Sequence, residues 1–198
     1  MNTHDNIIKQ TGDIFAKHGY EGVSMSIVAE KSKIAKSVIY HYYKDKDVLL
    51  KEMFNHINTQ LGIKRAQLPL KKTASERMKQ IIRFQFENAP KVVTILKYYA
   101  AFRKLFKEQE RGGYVPTKAY LHIEEVLEFG VKTSEFNIRN ITKDAKFITH
   151  AVNGFVLEYY PIIPKGKELD QLIEDISDYI LRALVTSSHN QKEVKKNE

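Results

Sequence analysis

The stretch at residues 24–46 constrains the fold more than any other part of the chain, because it has the pattern of two short helices joined by a tight turn. Ser24 is a favourable N-cap residue for the first helix. The segment Ser-Lys-Ile-Ala at residues 32–35 supplies the turn, and the second helix is predicted over residues 36–43. This pair carries few apolar residues, so we expect the larger helical body that follows to hold it.

Apolar residues recur at helical spacing throughout the chain, and no segment alternates between apolar and polar residues as a strand does. A helix is predicted over residues 4–18 with Thr3 as its N-cap, and another begins after Asp45. Over residues 92–106 apolar side chains occur nearly all round the helix, which is typical of a helix surrounded by others. The sequence therefore predicts an all-α fold of about nine helices.

The segment Leu-Pro-Leu-Lys-Lys at residues 68–72 interrupts the helical pattern and is the predicted hinge between two parts of the chain. We predict three regions. An N-terminal three-helix domain covers residues 1–46, a larger C-terminal helical domain covers residues 47–188, and a flexible tail covers residues 189–198.

The composition limits the classes of protein to which the chain can belong. No apolar run approaches the roughly 20 residues that span a bilayer, and the polar N-terminus does not have the pattern of a signal peptide. Cysteine is absent, which excludes disulfides and thiolate chemistry and fits a reducing compartment. We therefore expect a cytoplasmic protein with no membrane partner.

The net charge of +8 suits a polyanionic partner, but its distribution does not single out the helix pair. Residues 31–46 hold five lysines and one aspartate, a net +4, whereas residues 60–110 hold twelve basic and four acidic residues, a net +8. The excess over residues 60–110 is interpreted as a solvated face, or as a source of attraction for DNA or an acidic ligand. The functional prediction therefore depends on the motif and not on the bulk charge.

Two helices joined in this way form a helix-turn-helix, whose second helix is narrow enough to enter the major groove of DNA. Backbone amides at the N-terminus of the helix that follows Ser24 can meet a phosphate. Lys36 and Ser37 open the second helix, and Tyr40 lies one turn further on. Lysine, serine and tyrosine contact phosphates and base edges, so the pattern predicts binding to double-stranded DNA.

One ordered set of residues in and around this stretch carries a wider resemblance. The set is Gly19-Tyr20, Ser24-Met25, Ala29, Lys36, Ile39-Tyr40-His41-Tyr42-Tyr43-Lys44-Asp45-Lys46 and Leu49-Leu50. Over about residues 5–55 it resembles the TetR family of bacterial regulators. The resemblance implies an obligate homodimer in which helices one to three bind DNA and the last two helices form a four-helix dimer interface. It also implies a small-molecule effector in the C-terminal core that releases the DNA.

The resemblance assigns DNA contacts, residue by residue, to positions in and around the second helix. These positions are Ser24, Lys36, Ser37, Val38, Tyr40, His41, Tyr42 and Lys46. Within this set, His41 is a candidate for a contact in the groove.

The turn departs from the family pattern of glycine, an aliphatic residue and serine, because it has Lys33, Ile34 and Ala35. Lys33 must then adopt a left-handed backbone conformation, at a cost of about 1 kcal/mol. Ala35 lacks the hydroxyl that caps the second helix, a loss of about 1 kcal/mol. Ser37 and Val38 replace the common glycine and threonine, and a valine can contact a thymine methyl but cannot hydrogen-bond a base. These differences bear on the operator sequence more than on the fold.

Aromatic residues are frequent in the C-terminal part, and most are interpreted as core. Some are predicted to line a ligand cavity together with a few polar groups, and the residues assigned to it are Tyr98, Phe102, His122, Asn153 and Tyr159. The apolar stripe of the last helix and the helix before it predict self-association, with intramolecular packing as the alternative interpretation. The residues assigned to the dimer interface are Phe155, Leu169, Leu172, Ile173, Ile176, Ile180 and Leu184.

Two other classes compete with a DNA-binding regulator. An enzyme is disfavoured, because the seven histidines show no metal-ligand spacing and no glycine-rich phosphate loop is present. A helical small-molecule-binding protein without a role on DNA is the second alternative, and the unusual turn at Lys33 and Ala35 favours it. We predict a ligand-responsive transcriptional regulator, a repressor that binds a palindromic operator as a homodimer and needs no metal or cofactor.

Overall fold

The computed structural model describes residues 2–105 and 120–185, with the backbone only for residues 102–105. Every regular element in these residues is an α-helix. The helices are α1 (Thr3–His18), α2 (Met25–Ser32), α3 (Lys36–Tyr42), α4 (Lys46–Ala66), α5 (Ala74–Glu87), α6 (Ala89–Leu105), α7 (Leu121–Lys132), α8 (Ile141–Tyr159) and α9 (Lys167–Val185). Over the part of the chain that the structure describes, the predicted all-α fold of about nine helices is confirmed.

Capping residues determine where the N-terminal helices begin and end. α1 begins after Asn2, whose side-chain oxygen accepts a hydrogen bond from the Asp5 N–H at 2.8 Å. The prediction of Thr3 as the N-cap is therefore wrong by one residue, since Thr3 already lies inside the helix. Gly19 follows α1 with a φ of 67°, a backbone angle that favours glycine. Asp45 caps α4 as predicted.

The chain divides into two compact units. Unit 1 comprises Met1–Leu68 and Pro90–Tyr114, and unit 2 comprises Pro69–Ala89 and Val115–Glu198. The border after Leu68 falls within the predicted hinge. The border predicted at residue 46 separates the DNA-binding helices from the rest of the chain, whereas the two units are defined by compactness. The border at residue 46 therefore stays a prediction. The predicted tail at residues 189–198 lies outside the described residues.

In unit 1, α4 packs against α1, and α6 contacts both α1 and α4. Phe15 of α1 and Phe54 of α4 are almost fully buried. The ring of Tyr98 on α6 stacks on Phe54 with centroids 4.3 Å apart, and its centroid lies 6.2 Å from that of Phe15. The pattern over residues 92–106 predicted a helix surrounded on every side, but α6 has an exposed position at Ala100. Residue 106 lies outside the described residues.

Unit 2 contains α5, α7, α8 and α9. A capping box at Thr73 begins α5. The carboxylate of Glu135, in the segment after α7, also accepts hydrogen bonds from the Ala74 N–H at 2.8 and 3.0 Å. Gly130 of α7 lets the ring of Phe136 pack close to the helix, because a Cβ at Gly130 would lie 2.1 Å from that ring. The segment after α7 is therefore held against two helices of the unit.

Candidate nucleic-acid interface

The N-terminus of α2 is the first part of the candidate interface. Ser24 has an extended backbone, and its Oγ accepts a hydrogen bond from the Ile27 N–H at 3.2 Å. The first turn of α2 contains no acidic residue, so the positive end of the helix dipole is not neutralised by its own side chains. The predicted cap is confirmed, and the first turn is suited to a phosphate.

The turn between α2 and α3 forms without the glycine and serine of the family pattern. Lys33 adopts left-handed backbone angles, φ 57° and ψ 44°, and its N–H donates to the Glu30 carbonyl at 3.0 Å. The Ile34 N–H donates to the Ala29 carbonyl at 3.1 Å and closes the turn. Ala35 precedes α3 without a side-chain cap. The left-handed lysine and the missing cap are both confirmed, and the turn is complete in spite of them.

One face of α3 is polar, aromatic and exposed. Its exposed side chains are Lys36, Ser37, Tyr40, His41 and Tyr42. Tyr40 is 48% exposed, and the Lys36 Nζ lies 5.9 Å from the centroid of its ring. Ile39 is fully buried and anchors the helix, while Val38 is half-buried. The structure therefore brings five of the eight assigned residues together on one accessible helix, with Val38 at its margin.

The C-terminal end of α3 is held by an aromatic cluster that the sequence did not reveal. The ring of His4 lies 6.1 Å from that of Tyr43 and 6.3 Å from that of Tyr42. Burial raises the pKa of Tyr43 to about 12, and its buried hydroxyl has no hydrogen-bond partner among the described residues. Tyr43 therefore serves packing, and His4 is a neighbour of α3 that only the tertiary structure could identify.

Lys46 differs from the exposed residues of α3. Its Nζ donates to the Tyr20 carbonyl oxygen at 3.2 Å and lies 3.7 Å from the centroid of the Tyr20 ring. The Tyr20 hydroxyl donates to Oδ1 of Asp47 at 2.7 Å. Burial, and then the hydrogen bond and charge of Asp47, raise the pKa of Tyr20 to about 12. Sequence reasoning assigned Lys46 to DNA and missed its two contacts with Tyr20, although Tyr20 was part of the family resemblance.

The residues predicted to line a ligand cavity fall in both compact units. Tyr98 is buried in unit 1, and the side chain of Phe102 lies outside the described residues. His122, Asn153 and Tyr159 are half-buried in unit 2. Of these residues, Tyr159 lines an open cleft of about 380 Å³, and the rest of its lining is Pro164, Glu168, Gln171, Leu172 and Asp175. The assignment of a ligand cavity stays a prediction.

Most residues predicted for the dimer interface belong to the core of unit 2. The buried ones are Leu169, Ile173, Ile176, Ile180 and Leu184. These side chains pack within unit 2 of a single chain, and their assignment to the dimer interface stays a prediction. Phe155 is 42% exposed and Leu172 is half-buried. Sequence reasoning did not assign Phe147 or Tyr179, which are 73% and 81% exposed.

Among the described residues, no group of three or more histidine, aspartate or glutamate side chains could hold a metal ion. None of the helices described here is both long enough and apolar enough to cross a bilayer.

Comparisons with known proteins agree with the helix-turn-helix geometry. Residues 7–53 match the family described as bacterial regulatory proteins, tetR family. The HTH-type transcriptional regulator BetI of Proteus mirabilis is 28% identical over 99 residues, which cover 48% of this chain and 50% of that protein. The match thus spans about half the length of BetI. The HTH-type transcriptional regulator QacR of Staphylococcus aureus is 23% identical over 167 residues, which cover 79% of this chain and 85% of QacR.

Solved structures share the fold. The fatty acid degradation regulator FadR from Bacillus halodurans matches with a TM-score of 0.71 at 18% identity, over 91% of this chain and 95% of that chain. The ketosteroid transcriptional regulator KstR2 of Mycobacterium tuberculosis matches with a TM-score of 0.70 at 17% identity, over 93% of this chain and 95% of that chain. The family match and the shared fold lead to one conclusion: residues 7–53 are similar to the helix-turn-helix region of the tetR family of bacterial regulatory proteins, and the chain has the fold of solved transcriptional regulators.

Proposed function

We propose that the chain is a transcriptional repressor that binds a palindromic DNA operator as a homodimer and releases it when a small-molecule effector binds. The observation that carries the proposal is the exposed face of α3, with Lys36, Ser37 and Tyr40 following the capped α2 and its tight turn. A single helix of this kind fits the major groove. The proposed site of action is the DNA in the cytoplasm, and the proposal includes no catalytic step.

Two kinds of DNA contact are proposed. Lys36, Tyr42 and the first-turn amides of α2 contact phosphates, which set the register of the protein on the duplex. Ser37 and Tyr40 contact base edges, and the half-buried Val38 contacts a thymine methyl. Each phosphate that a lysine neutralises adds about 0.9 to the slope of log affinity against log salt concentration. The proposal therefore predicts strongly salt-dependent binding.

The proposed homodimer forms through unit 2. Phe147 and Phe155 on α8 and Tyr179 on α9 are exposed aromatic side chains. Exposed aromatic side chains are candidates for an interaction surface, because aromatic residues are enriched in protein interfaces. A two-fold dimer that reads a palindrome holds its two α3 helices about 34–36 Å apart, one turn of DNA. These exposed residues lie on α8 and α9, the two helices whose residues the sequence predicts for the interface.

Release of DNA requires an effector that binds the released state better than the DNA-bound state by a few kcal/mol. In the proposed mechanism the effector shifts α4, which changes the spacing of the two α3 helices. The residues of the effector site stay a prediction from the sequence, with Tyr98 and Phe102 in unit 1 and His122, Asn153 and Tyr159 in unit 2.

Selection of duplexes from a random-sequence pool on the purified protein tests the DNA-binding function. We expect enrichment of a palindrome whose half-sites are about 10 base pairs apart, centre to centre. A gel shift with the DNA that flanks the protein's own gene is the second measurement. Tyr40→Ala should abolish the shift while the circular dichroism spectrum stays helical. No enrichment and no shift would support the alternative, a helical small-molecule-binding protein without a role on DNA.

A further inference from the structure

Three side chains join the turn before α2 to the first turn of α4, and we call Tyr20, Lys46 and Asp47 the clasp. The Lys46 Nζ lies over the Tyr20 ring at 3.7 Å from its centroid and donates to the Tyr20 carbonyl oxygen at 3.2 Å. The Tyr20 hydroxyl donates to Asp47 Oδ1 at 2.7 Å. Tyr20 is therefore held at both ends, its backbone and ring by Lys46 and its hydroxyl by Asp47.

The turn that the clasp holds leads directly into α2. Its Gly22 approaches α1 so closely that a Cβ would lie 2.1 Å from a side-chain atom of that helix. The Val23 N–H donates at 3.2 Å to the Tyr20 carbonyl, the same oxygen that accepts from Lys46. Ser24, the N-cap of α2, is the next residue. A contact that holds the Tyr20 carbonyl therefore holds the point at which α2 begins.

The other side of the clasp is the well-anchored start of α4. Asp45 caps this helix and accepts a hydrogen bond from the Val48 N–H at 2.9 Å. Lys46 is the first helical residue, and Leu49 and Leu50 in the following turn are fully buried. The clasp thus connects the start of α2 to a helix end that is fixed by its own cap and core residues.

The environments of Lys46 and Lys36 differ. Lys36 is exposed on α3, whereas Lys46 is half-buried. A cation over a tyrosine face is attracted by the ring quadrupole, and the bond to the carbonyl occupies one of the three ammonium donors. Lys46 would have to leave the ring to become fully available to a phosphate. Of these two lysines, Lys36 is therefore the one that is available to a phosphate without losing a contact to a backbone carbonyl.

We propose that Lys46 is a positioning residue, which supports operator binding through Tyr20 and Asp47 and not through a phosphate contact. The inference rests on the proposed DNA-binding function, and it replaces the phosphate contact that the family resemblance implies for Lys46. The clasp holds α2, and α3 after it, at a fixed angle to α4. A shift of α4 is therefore passed to α3 through these polar contacts.

A double-mutant cycle with salt titrations tests the clasp. The variants are Lys46→Met, Tyr20→Leu and the two combined, and the probe is the duplex selected on the wild-type protein, measured by fluorescence anisotropy. In the wild-type background, Lys46→Met should weaken binding about tenfold without changing the salt slope. In the Tyr20→Leu background, the same substitution should weaken binding less than about twofold. The matched control, Lys36→Met, should lower the salt slope by about 1 per subunit.

A lower salt slope for Lys46→Met that persists in the Tyr20→Leu background overturns the positioning role, because a direct phosphate contact behaves in that way. Lys46→Arg should restore most of the affinity, since a guanidinium can also stack on the ring and donate to the carbonyl. Failure of the wild-type protein to bind any duplex overturns the proposed function itself and is thereby distinguished from failure of the clasp.

Thermal unfolding followed by circular dichroism reports whether each variant folds. If Tyr20→Leu does not fold, Tyr20→Phe takes its place in the cycle, because it removes only the hydroxyl that bonds Asp47. That variant should bind the selected duplex about threefold to tenfold more weakly at an unchanged salt slope. Wild-type affinity in Tyr20→Phe, together with a reduced slope in Lys46→Met, overturns the proposal.

Discussion

The ring of Tyr98 stacks on the ring of Phe54, with centroids 4.3 Å apart and an interplanar angle of 15°. This contact joins α6 to α4 within the compact unit that carries the helix-turn-helix. Both residues are almost fully buried, and Tyr98 also lies near Phe15 of α1, so the stack is part of the core of unit 1. A helix distant in sequence thus contributes to the packing of the proposed DNA-binding region.

Replacement of Tyr98 by leucine should lower the free energy of unfolding by about 1–2 kcal/mol, because the aromatic pair is lost and the smaller side chain leaves a gap. Urea unfolding followed by circular dichroism measures the change. Tyr40→Leu, at an exposed position of α3, is the matched control and should change stability by less than about 0.5 kcal/mol. Equal effects of the two substitutions would contradict the role of the stack.

Lys33→Gly should stabilise the protein by up to about 1 kcal/mol, because glycine adopts a φ of 57° without the steric cost of a Cβ. Lys31→Gly is the control at an exposed position in the last turn of α2, and it should destabilise by about 1 kcal/mol. Thermal unfolding measures both variants. A loss of stability in both would show that the Lys33 side chain contributes more than its backbone strain costs.

Glu135→Gln should remove a pH-dependent contribution to stability. Burial raises the pKa of the Glu135 carboxyl, but hydrogen bonds from the Ala74 and Ser75 N–H groups and the Thr133 hydroxyl outweigh burial and leave the pKa below its usual value. A carboxyl with a lowered folded-state pKa stabilises the fold above its unfolded-state pKa, and this contribution is lost as the pH falls through the folded-state pKa. The wild type should therefore exceed the variant in stability most clearly at neutral pH.

Urea unfolding between neutral pH and about pH 3, below the usual glutamate pKa, measures this difference. The difference in unfolding free energy between wild type and Glu135→Gln should shrink as the pH falls. Glu128→Gln, at an exposed position of α7, controls for the change in net charge. A wild-type advantage that is the same at every pH would show that the carboxylate charge has no part in capping α5.

Phe147→Lys should shift the protein from dimer to monomer, because it places a charge at an exposed aromatic position of the proposed interface. Sedimentation velocity measures the mass in solution. Ile162→Lys, at an equally accessible position in the loop between α8 and α9, is the control and should leave the dimer intact. A dimer that survives both Phe147→Lys and Tyr179→Lys would place the interface elsewhere.

The helix pair could be predicted from the sequence because its features are local. Ser24 and Asp45 each accept a hydrogen bond from an amide three residues later, so the residues that make the cap lie side by side in the chain. The left-handed angle at Lys33 was predicted from the family resemblance, because Lys33 occupies the position of the glycine in the family pattern. The helical class of the fold and the exposed face of α3 therefore followed from spacing alone.

The partners of Lys46 and the location of the exposed aromatic side chains depended on the tertiary structure. The stripe of α9 has the same period whether it faces its own core or a second copy, and packing in unit 2 buried Ile173 while leaving Phe147 and Tyr179 exposed. Lys46 contacts Tyr20 across 26 positions of sequence. Caps and turns are determined by neighbouring residues, whereas burial and distant contacts are determined by which helices meet in space.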